Sequence, residues 1–550
     1  MHKALHAGCA VVLLQAAAVS RQAGCVLGFA ASSSSSLSRF AASSTTGPFG
    51  ASHTTRSAAA STEVSPCPTR RCGTSRSSSR SSSRSSSSKR KLTAETCMMA
   101  ASSAVGKEEV EEDEAYVLPS APLPEIIVSN VPGSWAYDTM SRRLRENILM
   151  RIYDENDMEA PEMASAKAGL DSLVEELKTA GDSKLRPIEE DGGPEVSEWN
   201  KIMEPYLGQS WLDTPWLYSE FYAYRRVVEA FSFFKTGKTG FVAVCVDPFM
   251  SQKMLGVTSA LDSMEALARR LLATDAEVLG SETGIKLYAT AALWGNRMDL
   301  SIWPVQKDGE SSAGSGDVFS QVLESSSENL LADDSDSLAE ALAACGAAGG
   351  KRVDIVVDNA GFELFCDLCL ADCLATGGTA SRVVIQLKGH PTFVSDAMAK
   401  DMVAMIDLLA GLDEAEYPSA KAVGKRWQQL IADGKWELRE DFFWAQPRPL
   451  WEMPTRIRKE LREESSMVFV KGDANYRRLI GDRLWPTDTP FSEVAGYFPT
   501  RLCALRTLKA ELGCGMAKEL TERAARNHDD WMVNGRYGCI QMFDPTTAST

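Results

Sequence analysis

Histidine is scarce in this chain of 550 residues: there are five. His2, His6 and His53 lie near the amino terminus, so only His390 and His528 serve the rest of the chain. That excludes a His-rich zinc site and leaves a Ser-His-Asp triad few candidate bases. Long apolar runs are also lacking. Outside the first residues nothing approaches the roughly 20 apolar residues that a membrane-spanning helix needs. Basic charge is in deficit, with a formal net charge of −16, which argues against a nucleic-acid partner for the whole molecule. The 13 cysteines show no regular framework, so a disulfide scaffold is not expected and a reducing compartment is. The chemistry that remains rests on carboxylates, amides and lysines, which suit hard cations such as Mg²⁺ or Mn²⁺.

What is present is unevenly divided. Between Met1 and Lys107 basic residues are frequent and acids are only two, Glu63 and Glu95. His2 and Lys3 precede an apolar stretch, Ala7 to Val19, that ends in small residues, the plan of a signal peptide. Serine runs such as Ser33–Ser36 and Ser85–Ser88 follow, with arginines and almost no acids, as in organelle transit peptides. A signal peptide followed by a transit-like segment, with Phe29 near the junction, resembles the bipartite plastid-targeting leaders of algae with secondary plastids. The rival is an Arg/Ser-rich RNA-binding or phosphorylated tail around Arg76 to Arg90, with a cytoplasmic protein behind it. Neither composition can bury a core. The expected organisation is a targeting leader over 1–107, an acidic and Pro-containing linker over 108–123, a helical domain over 124–305, a Ser/Gly-rich insertion or loop over 306–335, and an α/β catalytic domain over 336–545.

The helical half shows apolar residues at helical spacing. Tyr137, Met140, Leu144, Ile148 and Ile152 form one stripe; Trp216, Phe221, Tyr224, Val227, Val228 and Phe231 form another; Asp262 to Thr274 carries a third. Glu220 and Arg225, on the second helix, are expected on a solvated face. Farther along, the pattern changes to short β-branched runs: Val353 to Val357, Val383 to Leu387, Met467 to Val470 and Leu502 to Leu505. Near-continuous runs of this kind fit buried parallel strands. Leu364 to Leu374, Val394 to Leu409 and Asn475 to Leu484 supply helices between or after them. The fold predicted is α/β: a helical N-terminal domain packed on a three-layer α/β/α domain with a mainly parallel sheet.

Ligands of open α/β sheets bind beyond the carboxyl ends of the strands. The residues at that edge are Asp358-Asn359-Ala360-Gly361 with Glu363, then Lys388 and Phe393-Val394-Ser395-Asp396, then Lys471-Gly472-Asp473-Ala474-Asn475-Tyr476, then Arg506-Thr507-Leu508-Lys509. Carboxylate and amide oxygens of the first two turns could hold a hard divalent cation. Glycine in the third lets backbone N–H groups approach a phosphate, and Lys509 with Arg506 would neutralise its charge. Metal, oxygen ligands and cations together are what phosphoryl transfer to water needs. Each turn taken singly is also an ordinary Asx or Gly turn.

Together, in this order, the four motifs resemble the metal-dependent damage-control phosphatases, in particular the Arg-Thr-x-Lys subgroup, also called acidic-residue methyltransferase-like proteins. Trp216-Leu217-Tyr218-Ser219-Glu220, Leu293-Trp294-Gly295-Asn296 and Phe443-Trp444-Ala445-Gln446-Pro447 are similar as well, so the resemblance runs from about Pro124 to Asp544. It implies that Asp358, Asn359 and Asp396 are metal ligands for Mn²⁺, Ni²⁺, Co²⁺ or Mg²⁺. It implies that Gly472, Asp473, Ala474, Asn475, Tyr476, Arg506 and Lys509 contact the substrate, with Glu363 lining the same site. Asp358, Asn359, Asp473 and Lys509 are then the catalytic set, Asp473 orienting water or assisting proton transfer. The implied substrates are small phosphorylated metabolites, sugar phosphates such as fructose 1-phosphate and fructose 6-phosphate, with no nucleic acid and no membrane for the mature protein. Nothing in the sequence sets an oligomeric state.

Two other functions fit the same chain. One is an S-adenosylmethionine-dependent protein-glutamate carboxyl methyltransferase, against which stands the lack of a Gly-x-Gly nucleotide turn after a first strand. The other is a non-catalytic sugar-phosphate-binding protein. Cys366, Cys369 and Cys373 share a helical face and are expected in the core rather than on zinc. His390 is expected as a neighbour of the active edge and not a ligand.

Overall fold

The β-branched runs become strands because both faces of each are covered. The computed structural model describes residues 114–234, 246–295, 327–347 and 349–546; the leader, most of the Ser/Gly-rich stretch and Asn296 lie outside them. Seven strands form one sheet: β1 (Leu330–Asp333), β2 (Lys351–Val356), β3 (Ala380–Lys388), β4 (Trp436–Asp441), β5 (Ser465–Lys471), β6 (Leu502–Thr507) and β7 (Gly538–Phe543), in the order β1-β7-β6-β5-β2-β3-β4. From β6 to β4 every pairing is parallel. β7 runs antiparallel to β6, and β1 parallel to β7. The predicted α/β class with a mainly parallel sheet is the one found.

Alternate residues of the central strands enter two different cores. Val468 and Val470 of β5, with Leu502 and Ala504 of β6, pack on one face; Met467 and Phe469, with Cys503 and Leu505, pack on the other. This two-sided burial is why the runs read as apolar without a polar alternate. The helical half, expected as a domain of its own, feeds both cores. Most of its described buried apolar residues from Ala121 to Phe231, with Phe249, join the first, and those from Val257 to Trp294 join the second. The described residues fall within one unit, 109–550. No helix among them is long and apolar enough to cross a membrane.

Four local features differ from the sequence reading. Part of the expected linker is docked: Glu114 N–H donates to Thr455 Oγ1 (3.1 Å), Arg458 donates to the Glu114 carbonyl (2.8 Å) and Ser120 N–H donates to the Glu493 carbonyl (2.9 Å). The end of the expected insertion is strand β1. The helix placed from Val394 starts only at Ala399. The residues before it form a loop in which Phe393 and Val394 both take left-handed backbone, φ 41° and 65°. Glu220 and Arg225 are buried, not solvated. They belong to α1 (Trp216–Ala230), whose residues from Trp216 to Val228 are all buried. Ion pairs make this possible: Arg225 with Asp191 (2.7 Å) and Glu195 (2.9 Å), and Glu220 with Arg477 (2.6 Å). Charges at helical spacing read as a wet face, and pairing across elements overrides that reading.

A candidate metal and phosphate site at the carboxyl edge

β2 leads into Asp358 and Asn359, and Gly361 then opens α2 (Phe362–Thr376) with φ 74°. β3 ends at Lys388, and the loop after it returns to the same place. Ala397 N–H donates to the Asp358 carbonyl (2.8 Å), Ala360 N–H to the Ser395 carbonyl (2.6 Å), and Asn359 bridges Asp396. These backbone bonds bring Asp358, Asn359 and Asp396 together, although more than one element separates them in the chain. Phe393 fixes the loop from outside, its ring packed against Phe221 (4.6 Å between centroids) and Tyr224 (4.7 Å) of α1. Its left-handed backbone is a cost that this packing offsets.

Asp358 and Asp396 are almost fully buried. Burial pushes both carboxyls above their usual range; the Asp396 charge adds to this at Asp358, and Lys388 opposes it at Asp396. Asp358 Oδ1 and Asp396 Oδ1 have no hydrogen-bond donor, while Asp396 Oδ2 meets the Lys388 ammonium at 3.0 Å. Asn359 is held on both sides, its amide donating to Glu363 Oε2 (2.8 Å) and its oxygen accepting from Ser395 Oγ (2.6 Å). No three His, Cys, Asp or Glu side chains among the described residues converge as a metal cluster; the predicted set is two carboxylates and an amide. Buried carboxylate oxygens without donors are costly unless a cation meets them. All-oxygen donors match a hard divalent ion, so these residues fit the expected metal.

The third turn abuts the first. Gly472 takes φ 81°, and a Cβ there would land on the Asp358 carboxylate. Gly472 leads into α3 (Asp473–Leu479). Asn475, fully buried, donates to the carbonyls of Val357 (3.2 Å) and Lys471 (2.9 Å) and accepts from Lys388 (3.3 Å), tying three strand ends together. Tyr476 points away into the core, its hydroxyl donating to Gln541 Oε1 (2.7 Å), and Ala474 is buried beside it.

Asp473 links the third turn to the fourth, its Oδ1 accepting from Arg506 Nε (2.8 Å) and from Lys509 N–H (3.1 Å). The Arg506 guanidinium is otherwise committed to the carbonyls of Leu512 (2.8 Å) and Ala510 (3.1 Å), over the Tyr476 ring. Arg506 therefore positions this turn, whereas Lys509 is exposed. Glu363 lies against Lys471 (3.5 Å), which also meets Asp367 (3.1 Å) and donates to the Ala292 carbonyl (2.7 Å).

Sequence reasoning put Lys388 and Ser395 on the active edge but gave neither a role. A lysine closing an apolar strand and a serine in a loop carry no signal of their own; their place on the active edge was the available one. His390 is buried, with Nδ1 against the Pro391 carbonyl (3.1 Å). Burial and the Arg225 charge depress it to about 3, so it is neutral. Cys366, Cys369 and Cys373 are core residues of α2, and burial pushes their thiols up.

The family model of the damage-control phosphatase ARMT1-like domain matches residues 139–524. The chain is 31% identical over 462 residues to damage-control phosphatase ARMT1 of Danio rerio, covering 77% of this chain and 97% of that protein. It is 31% identical over 464 residues to the Homo sapiens protein of the same name, covering 77% and 100%. A solved structure of a DUF89 family protein from Pyrococcus horikoshii aligns with a TM-score of 0.33 at 16% identity, over 69% of this chain and 96% of that one.

Proposed function

The chain belongs to the damage-control phosphatase ARMT1-like family, and we propose that it hydrolyses phosphate monoesters of small sugars, fructose 1-phosphate and fructose 6-phosphate among them. The family makes it a phosphatase of small phosphorylated metabolites; the sugar and the metal are our reading. The observation that carries it is the pair of buried carboxylates, Asp358 and Asp396, each with an oxygen that has no donor, and Asp358 lying against the Gly472 turn.

Asp358, Asn359 and Asp396 would hold Mn²⁺, Ni²⁺, Co²⁺ or Mg²⁺. Such an ion, when bound, supplies Lewis-acid polarisation of a phosphoryl oxygen. The chain does the rest. Glu363 and Ser395 orient the Asn359 amide. Gly472 lets the backbone lie against Asp358 where any side chain would collide. Asp473 is held by Arg506 and in turn fixes the Lys509 backbone, placing a compact cation for phosphate oxygens. Asp473 is also the residue we assign to orienting the attacking water.

The test is phosphate release by the full chain across a panel of sugar phosphates, each with Mn²⁺, Ni²⁺, Co²⁺ and Mg²⁺, beside a methyl-transfer assay with S-adenosylmethionine. Metal-dependent release from hexose monophosphates is expected. A protein inert with every metal that nonetheless transfers methyl groups to carboxylates would reverse the reading.

A further inference from the structure

Lys388 closes β3 and is fully buried. Its ammonium stands 3.0 Å from Asp396 Oδ2 and 3.8 Å from Asp358 Oδ1, and it donates to Asn475 Oδ1 at 3.3 Å. Its backbone N–H donates to the Ala397 carbonyl (3.1 Å), so strand and returning loop hold it in place. The other buried lysines nearby are committed elsewhere. Lys471 is matched with Asp367 and Glu363. Lys253 joins Asp247 and Asp401, as does the less buried Lys400. Among the described residues, Lys388 is the cation that reaches both Asp358 and Asp396.

We propose that Lys388 is the built-in counter-ion of the metal site: its ammonium balances Asp358 and Asp396 in the metal-free protein, and once a divalent cation takes those carboxylates the same charge is available to the substrate phosphate. The inference rests on the metal reading given above. Its physical basis is charge balance in a buried volume. With both carboxylates ionised, as metal binding requires, they and one ammonium carry a single negative charge, and a divalent ion turns that into a single positive charge. Without Lys388 the loaded site would be neutral, with little to attract a phosphate dianion. Because the ammonium and the ion share two carboxylates, Lys388 also opposes metal binding. One residue therefore weakens metal affinity and strengthens phosphate affinity, which a purely structural lysine would not do.

The experiment uses the full chain and its Lys388→Met variant, stripped with chelator. Mn²⁺ is titrated calorimetrically into each, and inorganic phosphate into each Mn²⁺-loaded protein. Thermal melting is followed with and without Mn²⁺. Lys388→Met should bind Mn²⁺ about tenfold more tightly or better, and phosphate about tenfold more weakly or worse. Its melting temperature should be below wild type without metal and restored by Mn²⁺, since the ion supplies the missing charge. Either affinity left at the wild-type value, or Mn²⁺ binding weakened, would overturn the proposal. A variant that stays unfolded in saturating Mn²⁺ would also contradict it. Failure of the wild-type chain to bind Mn²⁺ is distinguishable, because it would remove the metal reading itself and this inference with it.

Discussion

Gly472 carries the tightest requirement of any single residue in the site. Its backbone is left-handed and its missing Cβ leaves room for the Asp358 carboxylate. Gly472→Ala meets both obstacles, strained backbone at about 1–3 kcal/mol and a collision with a ligand group. Phosphatase activity should fall at least about tenfold and unfolding free energy by about that strain, read by kinetics and urea denaturation; unchanged values would show that Asp358 is not against this turn. His390 gives a residue-scale test of a different kind. Its folded pKa of about 3 lies below the ordinary 6.5, so between those values the unfolded chain binds the extra proton. The stability this neutral histidine contributes is present above pH 6.5 and lost as pH falls towards 3, at up to about 1.4 kcal/mol per pH unit. Urea denaturation of wild type and His390→Gln over that window should give diverging slopes, the wild type being steeper; parallel profiles would contradict it. At this scale the sequence placed the acids and the glycine at the strand ends, where the structure also has them, because their residue types announce their chemistry. It placed Lys388 on the same edge without a role, because its neighbours there come from a loop that folds back over it.

Between elements, the link that matters is α1 to α3. Arg477 of α3 pairs with Glu220 of α1 (2.6 Å) and with Asp482 (2.8 Å), and lies 3.6 Å from the Trp216 ring centroid. Removing one partner of a buried pair leaves the other charge stranded, a loss of about 3–5 kcal/mol. Arg477→Met should lower the thermal midpoint accordingly, and the paired change Arg477→Met with Glu220→Gln should recover part of it. If the single change left the midpoint unmoved, the helical layer would not be anchored to α3 through this pair. The legibility of elements follows burial. β2, β3, β5 and β6 were readable because two apolar faces leave an unbroken run. β4 was not: it is an edge strand, and Glu437, Arg439, Glu440 and Asp441 give it the charged look of a loop. β1 is four residues long and adjoins the Ser/Gly-rich stretch, which hid it. The loop after β3 looked helical because its apolar residues keep helical spacing, yet Phe393 packs on α1 and the helix begins only at Ala399.

Across the described residues, one sheet carries a core on each face, and the candidate site lies along the carboxyl ends of its strands. The scarcity of acids before residue 108 supports a further proposal, that this segment is an address for a plastid. A fluorescent fusion of residues 1–107 in an alga with secondary plastids should enter that organelle, and a purely cytosolic or nuclear signal would refute it. The central proposal concerns that edge: that Asp358 and Asp396 hold a metal, and that Lys509 holds phosphate independently of it. The most direct measurement sets steady-state hydrolysis of a sugar phosphate beside Mn²⁺ titration for wild type, Asp358→Ala and Lys509→Ala. Asp358→Ala should lose both activity and metal-induced stabilisation. Lys509→Ala should keep metal affinity while kcat/KM falls by about 30- to 150-fold, the loss of a charge-assisted contact of about 2–3 kcal/mol. Asp358→Ala with full metal binding, or Lys509→Ala with wild-type kcat/KM, would contradict the account.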